Sequence, residues 1–149
     1  MKIVATNRRA RHDYQITSTM VVGIVLSGAE VKSAKAGNLS LKGSFVRQKD
    51  DELYLVNAHI SPYKFAAQAD YDPTRERKLL AHRREIEQIG AQAHGASLSV
   101  VPLAAGIEHG LVKLEIGIGR GKKIYDKRSS LRQKAAERDI ERDIKAKSK

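Results

Sequence analysis

Apolar and β-branched side chains are concentrated in short segments separated by polar turns. Residues 14–26 form the longest such segment, which predicts one long or two short strands with a bulge or bend at Gly23. Residues 53–60, 98–103 and 111–116 predict further strands. The last of these alternates apolar and polar positions, so we expect one of its faces to be buried and the other to contact water.

Two segments carry helix signals. A short helix is predicted from Gly28, where the chain leaves the first long strand. A longer one is predicted to begin with Asp72 as its cap and Pro73 in its first turn. The apolar face of this second helix would consist of Leu79, Leu80, Ile86 and Ile89, and two stop signals, at Gly90 and Gly95, would divide or end it.

The elements together predict a mainly β fold with flanking helices. About six short strands with two or three helices favour a closed antiparallel barrel of the oligonucleotide-binding (OB) type. The acidic segment 49–52 is predicted to be a solvated hairpin tip rather than a cation site, because no further spaced ligands follow it. We assign residues 1–118 to the barrel body and residues 119–149 to a C-terminal tail.

The tail differs in character from the body. Gly119 and Gly121 precede a basic run and predict a flexible connector that suits phosphate. Ser130 and Gln133 match a capping box. The apolar residues that follow form a single narrow seam at Ala136, Ile140 and Ile144. One seam does not offset a cost of about 1–2 kcal/mol for ordering each residue's backbone, so we expect a tail that is flexible when free and helical when bound.

Charge narrows the class of partner. The 149 residues include 28 Lys and Arg against 17 Asp and Glu, a net charge of +11, and residues 120–149 carry +7 of it. Such a balance favours nucleic acid as the partner, with an anionic membrane second. The absence of cysteine excludes disulfides, cysteine nucleophiles and thiolate zinc sites. The absence of cysteine also favours a cytoplasmic location. Since no apolar run reaches about 18 residues, we expect that the chain does not cross a membrane.

The sequence holds no recognisable catalytic or metal-binding set. The five histidines are not spaced as ligands on one helix face. The glycine-rich segment 117–123 lacks the Ser or Thr of a Walker loop, and its third glycine falls one residue early for a dinucleotide fingerprint. We therefore expect no catalytic residue, metal or cofactor. An RNA-binding factor, a ribosomal-protein-like barrel bound to rRNA and a basic nucleic-acid enzyme are the classes to distinguish.

Candidate RNA-binding residues are the basic groups of the body. They lie in an N-terminal segment and on the predicted second helix: Arg8, Arg9, Arg11 and His12, then Arg75, Arg77, Lys78, Arg83 and Arg84. A solvated helix face has the same pattern, so charge alone leaves both interpretations open. Aromatic residues make up only 5% of the chain, which favours recognition through phosphate, ribose and shape rather than base stacking.

Eight blocks of the chain, in order, have the character of known sequence motifs: residues 7–14, 28–33, 59–63, 72–75, 77–80, 83–85, 121–123 and 126–128. Together they resemble the SmpB family of transfer-messenger RNA-binding ribosome-rescue factors. The resemblance implies an OB-type body that binds the tRNA-like domain of transfer-messenger RNA and supports its alanylation. It further implies delivery to stalled ribosomes together with elongation factor Tu. Alanyl-tRNA synthetase and elongation factor Tu would both be indirect partners that act through the RNA. The tail would enter the empty mRNA channel at the small-subunit decoding site and form a helix there.

The resemblance also implies roles for particular residues. Asn7, Arg8 and Glu30 match family positions implicated in the RNA contact, and Lys32 lies in the same block as Glu30. The residues implied for the ribosome-engaging tail are Gly121, Lys122, Lys123, Tyr125, Asp126, Lys127 and Arg128, with Ile140 and Ile144 on the helix. By position alone, Glu30 is a surface acid near a helix N-terminus. In an RNA-binding body it would either accept hydrogen bonds from bases or ribose, or order a loop by holding a neighbouring basic group. The segment 103–110 lacks the aromatic and basic residues usual for the family, so we expect no base stacking there.

Overall fold

The computed structural model describes residues 1–65, 70–93 and 98–121. Within these residues the chain forms nine strands and three helices. In chain order they are β1 (Lys2–Thr6), α1 (Arg8–Asp13), β2 (Tyr14–Ile24), α2 (Gly28–Lys35), β3 (Leu39–Ser40), β4 (Phe45–Lys49), β5 (Glu52–Val56), β6 (His59–Ile60), β7 (Arg77–Leu80), α3 (Arg83–Ala93), β8 (Leu98–Glu108) and β9 (Leu111–Gly121). No helix in the described part of the chain is long and apolar enough to span a membrane.

Seven of the strands form one antiparallel sheet in the order β1-β8-β9-β2-β7-β5-β4. Its centre consists of β2, β8 and β9, each 11 residues long. The short strands β3 and β6 pair separately. The buried core contains Leu53 and Leu55 of β5, Leu79 of β7 and Ile89 of α3, each at most 1% exposed. The mainly β fold class with flanking helices is therefore confirmed.

The prediction of a closed barrel is wrong, because β1 and β4 are the two edges of an open sheet in the described structure. β4 lies beside β8 without forming a ladder with it. β1 already occupies the outer edge of β8 from Ala104 to Ile107. On the adjoining stretch of that edge, Pro102 has no N–H to donate and its carbonyl accepts from Asn7.

The N-terminal segment forms a strand and a helix that were not predicted from the sequence. Residues 2–6, for which no strand was predicted, form the edge strand β1. The basic segment beginning at Arg8 is the helix α1, and Ala10 packs it against Val101 and Leu103 of β8. The sequence signals were the β-branched residues of 2–6 and an N-cap asparagine at position 7, which favours helix initiation.

The helix predicted from Asp72 is wrong. Asp72 Oδ1 accepts from the backbone N–H of Thr74, 3.0 Å away, and so stabilises a turn. Leu79 and Leu80 belong to β7, which pairs with both β2 and β5 and buries only the first of them. The helix begins instead at Arg83, and its buried residues Ile86 and Ile89 confirm the second half of the predicted apolar face. Gly90 lies inside this helix, and Gly95 is outside the described residues.

The ends of the long strands also differ from the prediction. β8 and β9 are joined by a turn at His109 and Gly110, so most of the segment between the strands predicted at 98–103 and 111–116 is itself strand. β9 continues through Gly121, and the predicted domain boundary at residue 118 falls inside it. A Cβ at Gly119 would lie 2.6 Å from the backbone oxygen of Gln15. Gly119 therefore permits the close approach of β2 and does not belong to the predicted flexible connector.

Candidate nucleic-acid interface

Glu30 lies in the first turn of α2 and is buried, with 1% of its surface exposed. Ser27 and Glu30 form a reciprocal capping box. The backbone N–H of Ser27 donates to Glu30 Oε1 at 2.9 Å, and the backbone N–H of Glu30 donates to Ser27 Oγ at 3.2 Å. The prediction of a surface glutamate is therefore wrong, although its position near a helix N-terminus is confirmed.

Three side chains from the segment before β7 and from β7 surround the Glu30 carboxylate, and we call these four residues the Glu30 cluster. Arg77 is fully buried, and its Nε donates to Glu30 Oε2 at 2.8 Å. The guanidinium of Arg75 contacts both carboxylate oxygens, with Nε 3.1 Å from Oε2. The Tyr71 hydroxyl lies 3.0 Å from Glu30 Oε2 and 2.9 Å from the carbonyl oxygen of Ile60.

Arg77 also ties separate backbone segments together. Its Nη1 donates to the carbonyl of Ala58 at 2.7 Å, and its Nη2 donates to that of Pro73 at 2.9 Å. The buried ion pair of Arg77 with Glu30 therefore also forms hydrogen bonds to other polar groups. Such bonds are needed to offset the cost of burying two charges. The arrangement joins α2, the residues just before β6 and the segment that leads into β7.

The pKa values of the cluster follow from these contacts. Burial by itself would raise the pKa of Glu30, but hydrogen bonds from Arg75, the Ser27 N–H and Arg77 outweigh it and lower the pKa to about 2. Burial and the neighbouring Glu30 carboxylate raise the pKa of Tyr71. The hydrogen bond to Glu30 raises the pKa of Arg75. The ionised carboxylate and the two cationic guanidinium groups are therefore the stable state at neutral pH.

Asn7 is the second buried polar anchor, 8% exposed, at the start of α1. Its side-chain amide donates to the carbonyl of Pro102 at 2.9 Å and accepts from the backbone N–H of Ala10 at 3.2 Å. Its backbone N–H donates to the carbonyl of Leu103 at 2.8 Å. Asn7 therefore caps α1 and fixes the helix on β8.

α1 presents its basic side chains to solvent. Arg9 is 71% exposed and lies 3.5 Å from Asp13, and Arg11 is 58% exposed and donates to Glu115 at 3.0 Å. Arg8 is exposed, and His12 is exposed beside Asp13. Ion pairs at this exposure are weak, so Arg9 and Arg11 can exchange their acidic partners for phosphate at little cost.

A groove of about 440 Å³ runs beside α1. It is lined by residues 5–9 and by the segment 39–42, so Arg8, Arg9 and Lys42 border the same groove. We call it the α1 groove. Lys42 was not identified from the sequence, where its only signal was a basic residue followed by a glycine. In the structure that glycine, Gly43, adopts a positive φ of 75°.

The other predicted basic residues lie on three elements. Lys32 lies exposed on α2, and Lys78 is exposed on β7, 3.7 Å from Glu52. Arg83 and Arg84 are exposed at the start of α3, where Arg83 contacts Glu87 of the same helix at 3.4 Å. The structure thus separates solvent-accessible cations, which can contact a polyanion, from the buried Asn7, Glu30 and Arg77. We interpret these three as positioning residues, and a part for any of the predicted residues in RNA binding stays a prediction.

Of the predicted tail residues, the structure describes Gly121, the last residue of β9, which pairs with Tyr14. The others lie outside the described residues: Lys122, Lys123, Tyr125, Asp126, Lys127, Arg128, Ile140 and Ile144.

The chain is similar to known proteins over almost its whole length. A family model described as SmpB protein matches residues 4–146. The SsrA-binding proteins of Staphylococcus aureus strains JH1 and Newman are each 48% identical over 143 residues, which cover 96% of this chain and 93% of theirs. A chain of the solved structure "tmRNA-SmpB: a journey to the center of the bacterial ribosome" is 46% identical with a TM-score of 0.67, covering 82% of this chain and 86% of that one. The family model spans α1, the Glu30 cluster and most of the tail.

Proposed function

Because the chain belongs to the SmpB family, we propose that it binds transfer-messenger RNA and acts in trans-translation, the rescue of stalled ribosomes. The single observation that carries this proposal is the 48% identity to SsrA-binding proteins over 96% of the chain. Members of this family are RNA-binding factors and not enzymes. The net charge of +11 and the exposed basic side chains above buried polar anchors support the proposal, because each suits a polyanion.

The body is proposed to hold the tRNA-like domain. Arg8, Arg9 and Lys42 around the α1 groove supply cations that neutralise phosphates. Asn7 supports this surface from beneath by fixing α1 on β8. The Glu30 cluster fixes α2 relative to the segment before β7, and so sets the position of Lys32 and of partly exposed Arg75.

The remaining steps are proposed for the tail and for partners that act through the RNA. Binding would support alanylation of the RNA by its synthetase and delivery with elongation factor Tu. The part of the tail that follows β9, residues 122–149, would then enter the empty mRNA channel at the decoding site and form a helix there. The support for these steps is the match through residue 146 and the charge of +7 in residues 120–149. The ribosome as partner makes the cytoplasm the proposed location.

A mobility-shift titration with transfer-messenger RNA, competed by tRNA and by duplex DNA, tests the proposal. We expect transfer-messenger RNA to bind most tightly, with the logarithm of the affinity falling against the logarithm of salt by about 0.7–0.9 for each phosphate contacted. Replacing Arg8 and Arg9 together by Gln should lower both the affinity and this slope. Both side chains are exposed, so the double variant should fold normally.

A matched variant with Lys35 and Lys49 replaced by Gln removes the same charge from exposed positions outside the α1 groove. We expect it to reduce affinity less than the Arg8 and Arg9 variant. Equal affinity for all three nucleic acids would contradict the proposal. Retention on ribosomes through a high-salt wash would favour a permanent rRNA-binding protein instead.

A further inference from the structure

An aromatic and basic cluster follows β6. The rings of Tyr63 and Phe65 meet edge to face, with centroids 5.4 Å apart. Lys32 Nζ lies 5.7 Å from the Tyr63 ring centroid, and Lys64 Nζ lies 4.9 Å from that of Phe65. Phe65 is 76% exposed, the highest value among the exposed large apolar residues of the described chain. Two aromatic rings, each with its own lysine, thus lie together on the surface of a protein with few aromatics.

The backbone beneath this cluster is held firmly. Ser33 Oγ of α2 donates to the carbonyl of Ser61 at 2.6 Å, and the backbone N–H of Ser61 donates to the carbonyl of Asn38 at 3.0 Å. One residue earlier, Ile60 is held through the Tyr71 hydroxyl of the Glu30 cluster and by the carbonyl of Pro73. The same α2 that carries Lys32 therefore fixes the strand end from which the aromatic residues follow.

We propose that Tyr63 and Phe65 form a stacking site for an unpaired base of the bound RNA, with Lys32 and Lys64 contacting its neighbouring phosphates. This proposal rests on the proposed function, since it adds a base contact to the same RNA complex. An exposed ring face stacks on any base, and adjacent lysines hold the backbone that leads to it. The lysines favour a polyanion over an apolar protein partner as the ligand of these rings. Recognition then includes base stacking at one point, although the composition favoured phosphate, ribose and shape.

The chain contains no tryptophan, so the variant Phe65→Trp carries a single fluorescent reporter at the proposed site. We expect transfer-messenger RNA to quench its emission, because an indole stacked on a base is quenched by direct contact. Single-stranded oligoadenylate should also quench it, and the same oligomer paired with oligouridylate should do so much less, since its bases are already stacked. The control Leu111→Trp places the reporter at another exposed apolar position, 60% exposed, where we expect little quenching.

Affinity measurements separate stacking from charge. Phe65→Ala should weaken binding of transfer-messenger RNA by about 5- to 150-fold and leave the salt slope unchanged. Lys64→Gln should lower the salt slope by about 0.7. Phe65→Trp should retain wild-type affinity, and Leu111→Ala is the matched exposed control.

The failure of this proposal differs from a failure of the proposed function. If transfer-messenger RNA binds the wild type tightly while the emission of the Phe65→Trp variant stays constant and Phe65→Ala keeps full affinity, the stacking site is wrong and the function stands. If the wild type shows no preference for transfer-messenger RNA, the function itself is wrong. Quenching by oligoadenylate in that case would still identify the cluster as a site for unpaired bases.

Discussion

Glu30 is an acid in a strongly basic protein, and its carboxylate is used entirely inside the fold. It accepts from Arg75, Arg77 and the backbone of Ser27, and it lies beside the hydroxyl of Tyr71. From the sequence, Glu30 was expected either to accept hydrogen bonds from RNA or to hold a neighbouring basic group. The geometry supports the second of these two functions. A direct contact with RNA would require a buried carboxylate to leave these donors, which is unfavourable.

Removing this carboxylate should destabilise the protein strongly. Glu30→Ala leaves Arg77, which is fully buried, without its counter-charge, and we expect a loss of about 3–5 kcal/mol in the free energy of unfolding. The matched control is Glu76→Ala, which breaks an exposed ion pair with Arg47 at 2.8 Å and should cost about 0–1 kcal/mol. Urea unfolding followed by circular dichroism measures both. Similar losses for the two variants would show that the cluster contributes no more than a surface ion pair.

The same residue predicts a dependence of stability on pH. The pKa of Glu30 is lowered in the folded protein from 4.5 to about 2, so its contribution is fully present above about pH 4.5 and is lost as the pH falls towards 2. A shift of this size corresponds to about 3 kcal/mol. Carbon-13 NMR of the Glu30 side-chain carboxyl during acid titration should give a midpoint near pH 2. A midpoint near 4.5, the ordinary value, would contradict the prediction.

Local sequence reveals the capping box of Glu30 but not the distant partners of its carboxylate in the Glu30 cluster. Ser27 and Glu30 stand three residues apart before a helix, and that spacing is the signature of a capping box. The partners Arg75 and Arg77 lie 45 and 47 residues further along the chain. They belong to an irregular segment and a strand, whereas the sequence analysis placed both on one predicted helix. A local sequence pattern cannot predict an ion pair between segments so far apart in the chain.

At the scale of elements, pairing between strands overrides local signals. Asp72 matches a helix start by residue type, and the leucines of β7 match a helical apolar face. In the structure, however, Asp72 stabilises a turn and β7 lies between β2 and β5 in the sheet. Burial of Leu79 against exposure of Leu80 follows the two-residue period of a strand. By contrast, β2, the hairpin at residues 49–52 and α2 were predictable, because their signals are local.

The attachment of α1 to the sheet gives a prediction about a whole element. Asn7→Ala removes both the helix cap and the donor to the Pro102 carbonyl, so we expect a loss of about 2–3 kcal/mol in stability. Asn7→Ser keeps a capping oxygen and should recover about 1 kcal/mol of it. Thermal or urea unfolding gives both values, and amide hydrogen exchange should show the increased opening confined mainly to residues 8–13. Unchanged exchange in α1 would mean that Asn7 does not anchor it.

At the scale of the whole molecule, a sheet centred on three long strands carries exposed cations on helices and loops at its surface. The sequence predicted the strand-rich body correctly in outline. It did not predict the open sheet, because closure depends on which strand occupies the outer edge of β8. That edge is taken by β1, whose partner residues lie about 100 positions further along the chain.

The extent of β9 decides where the body can be separated from the tail. A chain ending at Gly121 keeps the ladder with β2, including the pair Gly121–Tyr14, and should fold. We expect it to retain most of its affinity for transfer-messenger RNA and to lose rescue of ribosomes on templates without a stop codon. Binding assays and a reconstituted translation system measure the two outcomes.

A chain ending at residue 118 is the informative comparison. It lacks Gly119, Arg120 and Gly121, which pair with Ile16, Gln15 and Tyr14 of β2, and should be less stable than the chain ending at Gly121. If the longer chain folds but fails to bind the RNA, then the tail is part of the RNA-holding surface and the division between body and tail is wrong.

The strand order also governs how this protein can be made. In the described sheet, β1 pairs only with β8, and β2 pairs with β9 along most of its length, yet β8 and β9 are synthesised last of all the strands in that sheet. During translation the residues through Ile24, including a long β-branched strand, therefore emerge well before their partners exist. A nascent chain interrupted before residue 98 lacks the centre of the sheet and should be removed readily by proteases.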